Sequence, residues 1–544
     1  MPDQPAPRRF YLTTAIAYAN NRPGLHTLYE VVGADAIARW HRMRGDDTRF
    51  LTGTDEYSVN IAQTAEAQGK TPKAFVDEMV ELFRTAEAAL GIAPDRFIRT
   101  TDADHQRAVH EFIRRAYAKG DLYPGSYEGW YCPNEGFIPK SQLVEDASGT
   151  RCQNHPNVDL QWLTERNWFF RLSKYQEPLE RYYAEHPDWV EPEYRRNEML
   201  GFIAQGLEDF SASRQGAAWG IPFPIREDGT SAQLADGSWD PAAGTVYVWF
   251  DALINYVTGA GFPDDPDYGH WWPADLHVIG KDINRLHTIM WPAMLLSADL
   301  PLPRKVWVHG WLLAQGERMS KSRGNFLDPN DVVVALGSDG TRYVVLREVA
   351  FDRDSDVSWD SFVRRYNADL ANDFGNLLNR TVSMANRYLG GDRPAPVAGP
   401  LGAAWEGTRS RFESAFEGYL LHDALARLWE FVGAANRYVD TEKPWELNKA
   451  VKAGDDAAGE RLAAVLGDLV EACRLVALAA APFMPRTAPL VLGQLGYRYP
   501  YAADGNGGPP LADELRWGAH AVDAGQLGAA EPLFPRLDVE SGDA

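Results

Sequence analysis

The first fifty residues follow a strand–helix–strand pattern that restricts the chain to a small set of folds. Phe10 to Ala17 is rich in β-favouring residues, and Leu25 to Arg44 has the apolar spacing of an amphipathic helix. Breaker residues at Asn20 to Gly24 separate the two, and Thr48 to Gly53 is a second short strand. Such a unit joins parallel strands by a right-handed crossover. The pattern therefore predicts a parallel, doubly wound α/β sheet.

The chain is too long for one core, and its pattern changes along its length. Its 544 residues correspond to about three or four structural units. Strand-like runs return at Thr245 to Phe250, Leu276 to Gly280 and Val306 to Leu313, after a stretch rich in Trp, Tyr and Pro. The sheet is therefore predicted to be split by an insertion.

After residue 328 long amphipathic patterns replace the strand signal and predict an all-α helical bundle. These patterns cover Phe362 to Tyr388, Ser410 to Asp440 and Gly459 to Ala480. Pro500 to Ala530 is rich in Gly, Ala, Asp and Pro, so we expect it to be loop or loosely packed, although Glu531 to Arg536 could dock back onto the protein. The predicted units are a Rossmann-type α/β domain in two halves (1–117 and 231–327), an insertion (118–230), a stem (328–360), the helical bundle (361–500) and the C-terminal tail (501–544).

Charge and cysteine content exclude several classes of protein. A formal net charge of -22 argues against general electrostatic attachment to nucleic acid or anionic membrane, so any RNA must be contacted locally. Cys132, Cys152 and Cys473 are too few for a disulfide framework, which is typical of the reducing cytoplasm. No stretch approaches the roughly 18 to 20 apolar residues that span a bilayer. We expect a soluble cytoplasmic protein with no membrane partner.

Three predicted strand ends carry chemically rich segments. Ligands of open parallel sheets bind at the carboxyl ends of the strands, where loops and helix N-termini converge. The segments are Tyr18 to Thr27, Thr52 to Tyr57 and Trp311 to Ser322. The sequence therefore predicts an active site at this edge.

Arg318-Met-Ser-Lys321-Ser322 follows a strand and a glycine. It resembles the KMSKS loop of class I aminoacyl-tRNA synthetases, with arginine for the first lysine. The resemblance implies that Lys321 and Arg318 are catalytic and neutralise the triphosphate of ATP as pyrophosphate leaves. The alternative is an exposed basic turn.

Two further segments, Val246 to Tyr256 and His277 to Pro292, resemble those that enclose the methionine side chain in methionyl-tRNA synthetases. Aromatic and imidazole groups suit a polarizable thioether. The resemblance also implies that Asp55 pairs with the substrate ammonium. A Trp-rich core stripe is the alternative. The residues implied for the methionine site are Ile16, Tyr18, Asp55, Trp249, Tyr256, Ile283, His287 and Trp291.

The segment that corresponds to the family's HIGH motif departs from it. Gly24 and Thr27 stand where the family has its two histidines, and His26 stands where it has glycine. Losing one phosphate donor typically costs about 10² to 10³ in rate, so adenylation is either lost or sustained by His26 and Thr27 as replacement donors. The residues implied for the ATP site are Gly24, Leu25, His26, Thr27, Gly280, Asp282 and Lys321, with His26 and Thr27 also catalytic.

Three positions of the predicted bundle resemble the family's anticodon-reading residues. Asn376 and Arg380 lie one helical turn apart, and Trp445 follows Lys443-Pro444. Such residues hydrogen-bond or stack on unpaired bases, although a lone tryptophan is as often a core residue. The resemblance implies tRNA as a partner.

The predicted insertion resembles the family's zinc-bearing connective domain in part. Cys132-Pro-Asn-Glu135 and Cys152-Gln-Asn-His155 stand where two ligand pairs are expected. Structural zinc takes four ligands, and Glu135 would have to supply an oxygen. The sequence leaves two possibilities: these residues hold one structural zinc ion, or they are a remnant that binds no metal.

Three functions remain open on the sequence. The first is a methionine–tRNA ligase that uses ATP with Mg²⁺, methionine and tRNA, as a monomer because no C-terminal dimerisation barrel is apparent. The second is a synthetase-like enzyme that transfers an activated amino acid to a small acceptor, for example in hydrazine-bond formation. The third is a non-catalytic binder of methionine or tRNA.

Overall fold

The protein is described by a computed structural model that covers residues 7–132, 136–138, 143–146, 149–153, 158–319, 326–397, 399–521 and 525–538. The N-terminal part alternates strands and helices. Its elements are β1 (Arg9–Thr14), β2 (Ala17–Tyr18), α1 (Leu25–Met43), β3 (Asp47–Asp55), α2 (Val59–Ala67), α3 (Pro72–Ala89), β4 (Arg96–Arg99) and α4 (Ala103–Ala118).

A mainly antiparallel segment follows. Its elements are β5 (Leu122–Cys132), β6 (Gly136–Phe137), β7 (Leu143–Asp146), β8 (Gly149–Cys152), β9 (Gln161–Phe170), α5 (Gln176–Glu185), β10 (Val190–Glu191), α6 (Glu193–Ile203), β11 (Phe210–Ser211) and β12 (Ser213–Arg214). Strands β11, β9, β5 and β6 form one antiparallel sheet, whereas β10 pairs with a strand of the main sheet.

The chain then completes the α/β part. These elements are β13 (Thr245–Val246), α7 (Val248–Leu253), α8 (Asn255–Ala260), α9 (Tyr268–Trp271), β14 (Leu276–Gly280), α10 (Trp291–Ser297), β15 (Val306–His309), β16 (Leu312–Ala314), β17 (Glu317–Arg318), α11 (Pro329–Glu348) and β18 (Ser355–Asp356). A π-helical turn, Leu286–Met290, leads directly into α10.

The remaining elements are helical. They are α12 (Trp359–Arg365), a π-helical segment (Tyr366–Gly375), α13 (Asn376–Leu389), α14 (Pro400–Glu417), α15 (Leu421–Glu442), α16 (Pro444–Lys452), α17 (Asp456–Ala480), α18 (Thr487–Gln494) and α19 (Leu511–Glu514). Among the described residues no helix is both long and apolar enough to cross a bilayer.

The main sheet has seven parallel strands in the order β10-β15-β14-β1-β3-β2, with β4 also paired to β3. Leu12 of the central β1 pairs with Phe50 of β3 and Leu276 of β14, and all three side chains are buried. Both faces of the sheet are covered, as parallel sheets require. The predicted parallel α/β architecture followed by a helical region is confirmed.

Three local expectations are wrong. Thr245 to Phe250 is a strand only at Thr245–Val246 and then turns into α7, because a short apolar run does not distinguish a strand from a buried helix. The pattern from Ser410 to Asp440 is two helices, and Tyr419 between them takes a left-handed φ of 56°.

The third concerns the tail, which packs more tightly than its composition suggests. Leu511 and Leu515 are fully buried, and the Leu515 carbonyl accepts from Trp405 Nε1 at 2.7 Å. Phe534 packs its ring against Tyr366, which agrees with the expectation that Glu531 to Arg536 could dock back. A few apolar anchors therefore hold a Gly-rich segment against the bundle.

A buried ion-pair cluster joins the sheet to the bundle. Asp35 of α1 lies 2.7 Å from both Arg39 Nε and Arg342 Nη2 of α11, and all three side chains are almost completely buried. Arg342 also donates to the carbonyls of Phe483 and Pro482 between α17 and α18. One carboxylate thus connects three parts of the chain.

We predict that Asp35→Asn lowers the free energy of unfolding by about 3 to 5 kcal/mol, because it leaves two buried arginines without their counter-charge. Burial alone would raise the pKa of Asp35, but Arg39 and Arg342 hold it below its ordinary value. Its stabilisation is therefore present above the unfolded pKa and is lost as pH falls through the folded pKa. Urea unfolding at several pH values measures both effects.

The matched control is Glu446→Gln, which removes an exposed pair with Lys449 and should change the unfolding midpoint little. Equal midpoints for the two variants would contradict the role of Asp35.

Candidate functional site

A buried tyrosine–histidine pair links two of the predicted methionine-site segments. His287 Nδ1 donates to the Ile283 carbonyl at 3.0 Å, so its Nε2 accepts from the Tyr256 hydroxyl at 2.6 Å. Burial lowers the pKa of His287 to about 4, so the ring is neutral near pH 7. The two side chains therefore form a fixed, uncharged wall.

His277, which was not among the predicted site residues, belongs to the same cluster. Its ring lies 4.4 Å from that of Tyr256, and its Nε2 accepts from Trp291 Nε1 at 3.3 Å. The other ring nitrogen contacts Thr13 Oγ1 at 2.6 Å, and burial lowers the pKa of His277 well below its ordinary value. A histidine inside the apolar strand Leu276–Gly280 was the available signal.

The other predicted methionine-site residues are more open. Tyr18 and Trp249 are 40% and 36% exposed, which is unusual for such large side chains. Ile16 and Ile283 are partly buried against the same core. These faces are available for contact with an apolar ligand.

Two further carboxyl groups are buried, and they lie close enough to influence each other's pKa. Asp55 ends β3 and is 3% exposed, and Asp251 of α7 is fully buried. Burial raises the pKa of Asp55 to about 8. Asp251 was not predicted as a site residue, although an acidic residue within the apolar run Val246 to Tyr256 was a visible signal.

The start of α1 is shaped by a glycine and a histidine. A Cβ atom on Gly24 would lie 2.5 Å from His26 Cε1, 2.6 Å from its Nδ1 and 2.8 Å from Phe326 Cε2. The His26 ring thus occupies the space next to the Gly24 backbone that a side chain at residue 24 would need. Leu25 beside them is buried as the first residue of α1, while His26 is exposed.

A cleft of about 1110 Å³ opens beside this segment. His26 and Thr27 line it together with residues of α2 and α3. Met319 and Phe326 also line it, and they border residues 320–325. Lys321 lies outside the described residues, and Arg318 ends β17, which pairs with β16. The cleft is therefore lined by the start of α1 and by Met319 and Phe326.

The end of β14 forms the other side of the predicted nucleotide site. A Cβ atom on Gly280 would lie 2.8 Å from Asp282 Oδ1 and 3.6 Å from the His309 ring. His309 Nε2 lies 2.8 Å from Glu30 Oε2. Burial alone would lower the pKa of His309, but the hydrogen bond and the charge of Glu30 raise it above its ordinary value. Asp282 is exposed and accepts from Trp311 Nε1 at 3.4 Å.

The predicted zinc ligands are described only in part. Cys132 and Cys152 are fully buried and pack with Ile138, whereas Glu135 and His155 lie outside the described residues. Two thiols are half of the ligand set that structural zinc takes. Among the described residues no group of three or more possible metal ligands is present.

The predicted anticodon residues lie on α13 and α16. Asn376 is exposed as the first residue of α13. The Arg380 guanidinium lies 6.0 Å from the Trp445 ring centroid and pairs with Asp440 at 3.3 Å. Asn376 precedes Arg380 by one turn, so the two share a helical face.

The geometry can be compared with known proteins. The family model described as tRNA synthetases class I (M) matches residues 10–382. The Thermotoga maritima methionine–tRNA ligase is 40% identical over 98% of this chain and 81% of its own length. The enzyme of the same name from Thermosynechococcus vestitus is 42% identical, with 97% of each chain covered.

Solved structures of methionyl-tRNA synthetases are also similar to this protein. The Mycobacterium tuberculosis methionyl-tRNA synthetase in complex with methionyl-adenylate has a TM-score of 0.87 and 38% identity, covering 97% of this chain and 100% of its own. These matches extend over both the parallel sheet and the helical region. The chain therefore belongs to the class I tRNA synthetases, in the methionyl group.

Proposed function

We propose that this protein is a methionine–tRNA ligase: it forms methionyl-adenylate from methionine and ATP with Mg²⁺, and then transfers the methionyl group to tRNA. The observation that carries the proposal is the neutral Tyr256–His287 pair in the segments that resemble a methionine pocket. The names of the full-length relatives favour this activity over the two alternatives.

The pocket chemistry suits a thioether. Methionine is apolar but polarizable, and sulfur packs favourably against aromatic rings. Tyr256 and Trp291 supply such rings 5.9 Å apart, and the two buried imidazoles beside them carry no charge at neutral pH. An uncharged wall avoids the cost of burying an ion against an apolar side chain.

We assign phosphate contact to the start of α1. The first N–H groups of a helix have no partner within the helix and attract anions. Gly24 carries no side chain, and the His26 imidazole lies in the space that a side chain at position 24 would fill. His26 thus supplies a ring N–H donor near the position of the family's first histidine, and Thr27 supplies a hydroxyl.

The remaining roles follow from the family resemblance. Leu25, Gly280 and Asp282 contact the nucleotide, and Lys321 and Arg318 neutralise the departing pyrophosphate. Asn376, Arg380 and Trp445 read the anticodon. The protein acts in the cytoplasm as a monomer, and no step of this proposal involves zinc.

We predict that His26→Ala lowers methionine-dependent exchange between ATP and pyrophosphate by about 10² to 10³, because a phosphate donor is lost. Methionine affinity measured by calorimetry should stay nearly unchanged. His270→Ala is the matched control, since this exposed histidine pairs with Asp47 at the opposite end of β3. Full exchange activity in His26→Ala would contradict the role of His26.

A second prediction concerns the coupling between residues 24 and 26. Gly24→His alone should lower exchange, because its Cβ would lie 2.5 Å from His26 Cε1 and the His26 ring would have to move away. Adding His26→Gly removes that clash and should recover activity, so the two changes are strongly non-additive. The triple variant Gly24→His, His26→Gly, Thr27→His restores the family pattern and should be at least as active as the double variant. If the losses of exchange activity in the single variants simply add in the double variant, residues 24 and 26 do not compete for the same space.

A third prediction separates RNA reading from adenylation. Arg380→Ala should lower kcat/KM for tRNA in methionyl-tRNA formation by about tenfold or more, because a charge-assisted hydrogen bond to a base is lost. The tRNA-independent exchange reaction should not change. Arg387→Ala, an exposed arginine in the last turn of α13, is the control. Equal effects of the two variants would refute anticodon contact by Arg380.

A further inference from the structure

The cleft beside the start of α1 contains a positively charged residue that has no role in the proposed function. Arg22 lines this cleft of about 1110 Å³ together with His26 and Thr27, and its side chain is exposed. Ligand pockets typically measure roughly 300 to 1,000 Å³, so the cleft has room for a nucleotide. Arg22 therefore borders the same space as the two residues to which we assign phosphate contact.

The loop that carries Arg22 is anchored on both sides. Ala19 is buried, and its backbone N–H donates to the Asp55 carbonyl at 2.9 Å. Asn20 Oδ1 accepts from Thr64 Oγ1 of α2 at 3.0 Å. The three residues that follow Arg22 are buried. The backbone of Arg22 is thus held in place, while its side chain extends from the surface of the cleft.

The lysine and the two glutamates that line the cleft all have partners. Lys70 Nζ lies 2.6 Å from Glu78 Oε2, and Glu81 Oε1 lies 3.7 Å from Arg84 Nη1. Among the described residues Arg22 has no hydrogen bond or ion pair. Arg22 therefore gives the described part of the cleft a positive charge without a counter-charge, which suits an anionic ligand.

The start of α1 adds to this positive potential. Its N-cap, Gly24, has no side chain that could cap the helix, and its first turn contains no acidic residue. At the start of α2, by contrast, the Ser58 side chain accepts from the Ile61 N–H at 3.0 Å. The N-terminal end of a helix carries partial positive charge. The uncapped end of α1 and the Arg22 guanidinium thus border one cleft and favour the same sign of ligand charge.

We propose that Arg22 binds a phosphate group of ATP in this cleft. The inference rests on the proposed function and adds to it a phosphate-binding residue outside the HIGH segment. A guanidinium is always charged and can donate two parallel hydrogen bonds to a phosphate, whereas the hydroxyl of Thr27 is a neutral donor. Arg22 therefore supplies positive charge beside the segment in which the two family histidines are replaced.

Calorimetry of the full-length protein with MgATP, without methionine, tests the proposal. Arg22→Ala should weaken MgATP binding by about 10- to 100-fold, because charge-assisted hydrogen bonds to a phosphate are lost. Arg22→Lys keeps the charge but not the planar fork, so its affinity should lie between those of the wild type and Arg22→Ala. Adenosine, which has no phosphate, should bind all three proteins equally.

The matched control is Arg107→Ala on α4. The Arg107 side chain is 61% exposed, and it does not line the cleft. Its removal changes the net charge of the protein by the same amount as Arg22→Ala, so an effect of net charge alone would weaken MgATP binding equally in both variants. Arg107→Ala should bind MgATP like the wild type. Unchanged thermal unfolding midpoints would show that both variants are folded.

The outcomes separate this proposal from the ligase proposal. Wild-type MgATP affinity in Arg22→Ala, or equal weakening of MgATP and adenosine, overturns the role of Arg22 and leaves the ligase proposal standing. So does a variant that loses only methionyl-tRNA formation, which would place Arg22 against RNA. Wild-type protein that binds MgATP but shows no methionine-dependent exchange overturns the ligase proposal, and the MgATP affinities still decide the role of Arg22. Wild-type protein that binds no MgATP overturns both.

Discussion

The shared carboxylate of Asp35 is the contact on which the arrangement of this protein depends. It lies between Arg39 of its own helix and Arg342 of α11, in a region without water access. Arg342 in turn holds the chain at Pro482 and Phe483. Because α1 begins at the predicted phosphate site and α11 leads towards the helical bundle, this cluster sets the position of the reaction site relative to the proposed RNA-binding face.

The site itself combines satisfied and unsatisfied polar groups. Glu56 and His287 have their hydrogen-bond partners within the fold, so they are held in one orientation. One carboxyl oxygen of Asp55 and both of Asp251 have no hydrogen-bond partner in the fold. Buried polar groups without partners destabilise a protein, so most buried polar groups in native proteins are hydrogen-bonded.

Much of the fold could be predicted because its signals are local. The unit from β1 to β3 and the strand Leu276–Gly280 have the predicted order and type. The run at Thr245 to Phe250 failed because its apolar side chains fit a buried helix equally well. The contacts of His277 were not predictable, because its partner Thr13 is distant in sequence. The substitutions at Gly24 and His26 relative to the family motif were visible in the sequence, but the direction of the His26 ring was not.

We propose that this chain activates methionine although the two usual histidines of its HIGH segment are replaced. The decisive experiment is methionine-dependent exchange between ATP and pyrophosphate by the purified wild-type protein, with and without tRNA. We predict robust exchange that requires methionine and does not require tRNA. Absence of exchange at saturating ATP and methionine, in protein shown to bind methionine, would contradict it.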